Sequence, residues 1–171
     1  MALVVTWPIT IAMLTHTTEQ PMRSILVTGG NQGIGYALCK QLATKHNCHV
    51  YLTARNADRG NEAVSNIRKL GGSADFIQLD VSSESSIQTA ASLAREKLSD
   101  KSLYGIVNNA GIGLNTAAGG DVMKTNLYGT KLMCDNFIPL LDADKGRIVN
   151  IGSGGGPNYV SGICHDNKAD A

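Results

Sequence analysis

Four glycines within eight residues follow an apolar run and could receive a phosphorylated ligand. The segment TGGNQGIG covers residues 28–35, directly after the apolar residues 25–27. Gly29 permits a sharp turn off a strand, Gly33 leaves the main chain open to a pyrophosphate, and Gly35 lets the next helix pack closely. The start of that helix directs unpaired N–H groups and its positive dipole end at the anion. The spacing is GxxxGxG rather than GxGxxG, so a plain turn is the alternative that this segment leaves open when taken alone. The candidate dinucleotide contacts are Thr28, Gly29, Gly30, Asn31, Gln32, Gly33, Ile34 and Gly35.

The kind of dinucleotide is indicated about 20 residues further on, at the end of the second predicted strand. A dinucleotide fold places there an acid for the ribose of NAD or an arginine for the 2′-phosphate of NADP. The segment LTARN has Ala54 and Arg55 at this point and no carboxylate. Because a guanidinium offers paired donors to a phosphate, the sequence favours NADP(H) over NAD(H). The alternative is that Arg55 is a solvated surface side chain. Gln32, in the glycine turn, adds no positive charge of its own.

Two further segments end predicted strands with polar residues. QLDV closes the third strand and places Asp80 and Val81 where an adenine could be hydrogen-bonded and sandwiched. VNNAG closes the fourth and adds three candidate contacts, Asn109, Ala110 and Gly111. Ligands of open parallel sheets bind beyond the carboxyl ends of the strands, where all of these segments fall. Each segment is common as a turn, but their joint order is not.

The elements that must position these residues alternate along the chain from Ser24 onward. Short β-branched runs are separated by longer segments with apolar residues at helical spacing. Strands joined by single helices predict βαβ units with right-handed crossovers, and hence a Rossmann-like, doubly wound parallel α/β sheet of about five strands in the order 3-2-1-4-5. The predicted strands are Ser24–Thr28, His49–Thr53, Ala74–Leu79, Leu103–Asn108 and Gly146–Ile151, and the predicted helices are Gly33–Lys45, Asp58–Leu70, Ser83–Leu98 and Asp121–Leu141. In the last helix, one stripe is predicted to carry Met123, Leu127, Thr130 and Cys134.

Composition excludes several classes of partner. The 171 residues carry a net charge of +1 and 17% charged residues, which gives no electrostatic footprint for nucleic acid or an anionic membrane. The four cysteines form no CxxC pair, which favours free thiols in a reducing, cytoplasmic setting over disulfides. His46 and His49 match no metal motif, so no metal site is predicted.

Residues 1–22 differ from the rest and are interpreted as a leader or extension. The apolar stretch from Ala2 to Leu14 contains Pro8 and is too short to span a bilayer. It lacks a clear basic region and cleavage site, so a dispensable leader or a start at Met22 is expected, with organelle or secretory targeting as the alternative.

The motifs together resemble those of the short-chain dehydrogenase/reductase family. The segments TGGNQGIG, LDV, NNAG, TNLYGT and GRIVNIGS follow one another in the family's order. Their amino-acid sequence resembles most the carbonyl reductase branch of the family, which uses NADPH. The resemblance implies that Asn126 holds a water in a proton relay and that Ser153 hydrogen-bonds the substrate carbonyl. It also implies cofactor contacts at Asp80, Val81 and Asn109, and a 2′-phosphate contact at Arg55. The alternatives without a catalytic role are that Asn126 satisfies a neighbouring carbonyl and that Ser153 is a loop residue.

The family's proton donor, a tyrosine with a lysine four residues later, is where this sequence departs from the pattern. Tyr159 has Ile163 at that distance, and Lys168 is too far along to substitute. We therefore expect a chain that ends before this motif, with residues 23–153 as an NADP-binding domain and 154–171 as a tail. The fifth strand is then expected to be an exposed edge available to a partner or a second copy.

Two functions follow from these expectations. The first is an NADPH-dependent oxidoreductase that moves hydride between the cofactor and a ketone, aldehyde or alcohol, impaired here by the absent donor. The second is an NADP-binding module without turnover that acts through a partner. A serine hydrolase is excluded because position 151 of IGSGG is Ile and not the glycine of a nucleophile elbow.

Overall fold

The chain forms an alternating series of strands and helices in a computed structural model, which describes residues 21–113 and 119–153. Where the sequence places a glycine turn after a strand, the first helix begins at Gly33, as predicted. The elements in chain order are β1 (Arg23–Val27), α1 (Gly33–Lys45), β2 (Cys48–Ala54), α2 (Ala57–Lys69), β3 (Ser73–Gln78), α3 (Glu84–Leu98), β4 (Gly105–Asn108), α4 (Gly119–Met123), a π-helix (Lys124–Gly129), α5 (Thr130–Phe137), a 3₁₀ turn (Ile138–Leu140) and β5 (Arg147–Asn150).

The five strands form one parallel sheet in the order β3-β2-β1-β4-β5. Every adjacent pair is parallel, and in the centre Val27 aligns with Leu52 of β2 and with Val107 of β4. This topology confirms the predicted doubly wound fold. The predicted boundaries are right to within one or two residues. The fourth strand begins at Gly105 and not at Leu103, since Leu103 makes only an isolated parallel bridge to Leu141.

Helices pack on both faces of the central strands, where successive residues point to opposite sides. In β1, Leu26 belongs to the hydrophobic cluster under α3 and α5, whereas Val27 belongs to the cluster under α1 and α2. Both side chains are fully buried. One face of α3 is buried, and it carries Ile87, Ala90, Ala91, Ala94 and Leu98. The central strands are thus packed between two layers of helices, which fixes the position of their carboxyl ends.

The last predicted helix is wrong as a single element. Instead of one helix over Asp121–Leu141, the chain forms α4, a π-helix, α5 and a 3₁₀ turn at Pro139. Met123 and Leu127, assigned to the apolar stripe, are 48% and 52% exposed, while Met133 and Phe137 are fully buried. The wider i→i+5 turn changes the phase of the helix, so a stripe drawn at 3.6 residues per turn loses the buried face.

Among the strands of the described residues, β5 lies at one edge of the sheet, as expected. Its four residues are all exposed, including Ile148 at 37% and Val149 at 47%, and Ile151 just beyond it is 49% exposed. Among the described residues, no helix is long and apolar enough to cross a membrane.

Candidate functional site

A cavity of about 300 Å³ lies at the carboxyl ends of β1, β2, β3 and β4. It brings together the predicted dinucleotide contacts from four separate segments, with the exception of Thr28 and Gly30. Four lining residues were not among the predicted contacts: Ala54, Leu79, Ile112 and Thr125. Ala54 ends β2 and Leu79 directly follows β3, so both could have been found from the positions of the strand ends. The other two depend on how the π-helix packs, which no local pattern shows.

The glycine turn has the backbone that its sequence predicts. Gly29 and Gly33 have φ values of 65° and 57°, in the left-handed region that favours glycine. A Cβ at Gly33 would meet nothing within 4 Å, because this residue faces the cavity. A Cβ at Gly35 would overlap the carbonyl oxygen of Gly29 and lie 2.5 Å from Nδ2 of Asn109. Gly35 therefore allows the first turn of α1 to sit directly against the glycine turn.

The N-terminus of α1 is open toward the cavity. Its N-cap residue, Gln32, makes no side-chain cap, and its first turn contains no acidic residue. In contrast, Asn56 caps α2 and Ser83 caps α3, and both of those helices carry an acid in the first turn. Uncapped N–H groups at a helix start bind anions, and the dipole favours negative charge there. The site is thus suited to a phosphate or pyrophosphate group.

Thr28 and Gly30 lie beneath the cavity rather than in its wall. Thr28 Oγ1 accepts hydrogen bonds from the main-chain N–H groups of Asn109 and Ala110, both at 2.9 Å. In return, Nδ2 of Asn109 donates to the main-chain oxygen of Thr28 at 2.9 Å. Gly30 donates its N–H to the carbonyl of Thr53 at 2.8 Å. The bonds of Thr28 fix the turn after β1 against the turn after β4, and the bond of Gly30 ties the same turn to β2.

Arg55 lies at the end of β2, on the solvent side of the cavity. Its side chain is exposed, and its guanidinium makes no hydrogen bond or ion pair with any described residue. Its main-chain oxygen accepts a hydrogen bond from Nε2 of Gln78 at 3.0 Å, which holds the backbone at this point. The backbone at Arg55 is therefore held in place, while the donors of the guanidinium remain available to a phosphate.

Asp80 and Val81 form the wall at the end of β3. Oδ1 of Asp80 accepts hydrogen bonds from the N–H and the hydroxyl of Ser82, at 2.9 and 2.7 Å. Ser86 Oγ accepts from the N–H of Asp80 at 2.9 Å, which links this turn to α3. Val81 is 7% exposed and presents an apolar surface to the cavity. An acid held in place beside an apolar surface is suited to an adenine ring.

The two predicted catalytic residues do not line the cavity. Asn126 lies in the π-helix, where its Oδ1 accepts from the N–H of Ile112 at 2.9 Å and its Nδ2 donates to the carbonyl of Ile112 at 2.8 Å. The side chain thus bonds both backbone groups of Ile112, and the catalytic role of Asn126 stays a prediction. Ser153 is exposed and follows β5. Tyr159, Ile163 and Lys168 lie outside the described residues.

The thiols of the described cysteines are free. Cys39 lies under the glycine turn, where a Cβ at Gly30 would be 2.9 Å from its sulfur. Burial raises the pKa of Cys39 to about 12, which keeps the thiol neutral and unreactive. Cys39 therefore serves packing beneath the site. Cys164 lies outside the described residues.

Comparisons with known proteins agree with this geometry. Residues 23–165 match the family model described as short chain dehydrogenase. The (+)-neomenthol dehydrogenase of Arabidopsis thaliana is 36% identical over 86% of this chain and 61% of its own length. The NADPH carbonyl reductase 1 of Homo sapiens is 37% identical over 75% of this chain and 48% of its own length. A crystal structure of an actinorhodin polyketide ketoreductase with NADPH superposes with a TM-score of 0.70 at 29% identity, covering 80% of this chain and 55% of that one. The chain therefore spans about half to three fifths of the length of these relatives.

Proposed function

Because this chain belongs to the short chain dehydrogenase family, we propose that its cavity binds NADP(H) and serves an oxidoreductase of carbonyl reductase type. The single observation that carries the proposal is the cavity itself. It joins an open helix N-terminus, a left-handed glycine and an available guanidinium at the carboxyl edge of a parallel sheet. That edge is where dinucleotides bind in doubly wound folds.

The residues present fit the parts of the cofactor one by one. The main chain around Gly33 receives the pyrophosphate, because no side chain stands between the uncapped N–H groups of α1 and the cavity. Arg55 receives the 2′-phosphate, and Asp80 with Val81 receives the adenine. The names of the similar proteins support the phosphorylated form, since both the carbonyl reductase and the ketoreductase are described with NADPH.

The remaining site residues act on the substrate side of the proposal. When bound, NADPH supplies the hydride that a ketone or aldehyde accepts. Ser153 donates a hydrogen bond to the substrate carbonyl, and Asn126 helps to hold a water that carries the proton. The side chain of Asn126 is engaged with the backbone of Ile112, so its amide fixes the loop after β4. The main-chain oxygen of Asn126 accepts a hydrogen bond from Oγ1 of Thr130 at 2.9 Å.

Replacement of Gly33 by alanine tests the pyrophosphate seat. Gly33 and Gly71 both have positive φ and both have open space where a Cβ would lie, but only Gly33 lines the cavity. Gly33→Ala and Gly71→Ala therefore introduce similar backbone strain, and only the first places a methyl group against the ligand. We expect Gly33→Ala to weaken NADPH binding by roughly tenfold or more and Gly71→Ala to leave it within about twofold, as measured by fluorescence titration. Equal affinities for the two variants would refute the assignment.

Turnover separates the oxidoreductase from the second candidate, an NADP-binding module without turnover. The observation that favours the module is Ile163, which stands four residues after Tyr159 where the family has lysine. The purified chain is incubated with NADPH and a reactive quinone or isatin, and the cofactor's absorbance is followed. A rate that Ser153→Ala reduces supports the enzyme, whereas NADPH binding with no rate supports the module.

Three broader assignments belong to the same proposal. Residues 23–153 form the nucleotide-binding unit, and the exposed edge of β5 takes part in self- or partner association. Sedimentation velocity at rising concentration tests the self-association, which a constant monomer would contradict. We also assign the chain to the cytoplasm, which fractionation of cells that express the full chain would check.

A further inference from the structure

We propose that Gly129 is a positioning residue that holds the adenine wall of the cavity and the π-helix together as one unit. This inference rests on the proposed binding of NADP(H). It concerns the carbonyl group of Val81, which lies behind the cavity wall, and the π-helix that carries Thr125 and Asn126.

Gly129 is not a glycine for conformational reasons. Its φ and ψ are −60° and −46°, which any residue adopts in a helix. Its environment is what excludes a side chain. A Cβ at this position would overlap the carbonyl oxygen of Val81 and lie 3.1 Å from its carbonyl carbon and 3.3 Å from the carbonyl oxygen of Lys124. Glycine is therefore required by the close approach of two backbones.

The two backbones that meet at Gly129 belong to different parts of the site. Val81 lines the cavity at the end where adenine is proposed to bind. The π-helix contributes Thr125 to the same cavity, and through Asn126 it fixes the backbone of Ile112. Gly129 itself is buried, although Leu127 and Tyr128 beside it are more than half exposed. The contact thus connects the adenine wall to the loop after β4.

An added methyl group must separate these backbones. Carbon and oxygen atoms in contact stay at least roughly 3.3 Å apart, so the alanine variant displaces the Val81 carbonyl or the π-helix by on the order of 1 Å. Neither backbone can yield as the end of a flexible side chain would. The displacement reaches the cavity from behind, although the substituted residue itself does not line the cavity.

The test uses the full chain and adenosine 2′,5′-bisphosphate, which carries the adenine and the 2′-phosphate but no nicotinamide. We expect Gly129→Ala to weaken its binding, and that of NADPH, by roughly tenfold, while the preference for NADPH over NADH persists because Arg55 is unchanged. The matched control is Gly120→Ala in α4, where a Cβ meets nothing within 4 Å. We expect this control to stay within about twofold of the wild type.

A second measurement on the wild-type chain covers the case in which Gly129→Ala does not fold. When adenosine 2′,5′-bisphosphate is titrated, the amide resonances of Gly129 and Thr130 should shift, although neither residue lines the cavity. Shifts confined to the cavity wall, or a folded Gly129→Ala variant with wild-type affinity, would overturn the inference alone. A wild-type chain that binds neither ligand would refute the proposed function, and this inference with it.

Discussion

Replacing Arg55 with glutamine removes the one predicted positive charge in the cavity wall while keeping a polar side chain of similar length. The guanidinium is exposed, and it makes no bond with a described residue, so the folded chain should lose no internal contact. Hydrogen bonds to a charged partner contribute about 1.5–3 kcal/mol. Because solvent and salt screen an exposed charge, the lower end of this range applies. Since about 1.4 kcal/mol corresponds to tenfold in Kd, we expect NADPH to bind about tenfold more weakly.

NADH provides the internal reference, since it lacks the 2′-phosphate. We expect its affinity to change by less than about twofold, so that the ratio of the two affinities falls by nearly the full factor. Both cofactors are titrated by fluorescence at low and at high salt, and the wild-type preference should shrink as the ionic strength rises. The matched control is Arg59→Gln, an exposed arginine in the next helix that does not line the cavity. Equal losses for NADPH and NADH, or the same loss in Arg59→Gln, would refute the role of Arg55.

Two further predictions concern stability. Burial raises the pKa of Cys39 from 9.0 to about 12, so the unfolded chain loses this proton first and the free energy of unfolding falls as the pH rises from 9 toward 12. Cys39→Ala should flatten that decline in denaturant titrations, and a slope equal to that of Cys134→Ala would contradict it. At Gly60, an added Cβ would lie 2.6 Å from Cζ of Phe76, so we expect Gly60→Ala to lower the free energy of unfolding by about 1–3 kcal/mol, whereas Gly120→Ala should not lower it. Equal denaturation midpoints would show that the Phe76 ring moves aside freely.

The fold could be predicted because each element carries its own local signal. The glycine turn indicated the start of α1 at Gly33, and β-branched runs located all five strands within one or two residues. The positions that end the strands, such as Arg55 and Asp80, were predicted to share an edge because parallel strands end on the same side of a sheet. The cavity does bring them together.

The features that the sequence did not reveal have a common origin in packing. The stripe through Met123 and Leu127 failed because a π-turn altered the helical phase, and nothing in the local pattern marks such a turn. Thr28 does not line the cavity, and its side chain ties two turns together, so its predicted contact with the cofactor stays a prediction. The side chain of Asn126 holds the backbone of Ile112 and does not line the cavity, and its catalytic role stays a prediction.

The sequence by itself determined the order of the elements, the open N-terminus of α1 and the kind of charge beside it, because turn conformation, helix capping and side-chain charge are properties of neighbouring residues. Only the tertiary structure decided which side chains line the cavity and which support it from below. The reason is that close approaches such as that of Gly129 to Val81 join residues 48 positions apart, and the space between two backbones is set by the packing of the whole layer.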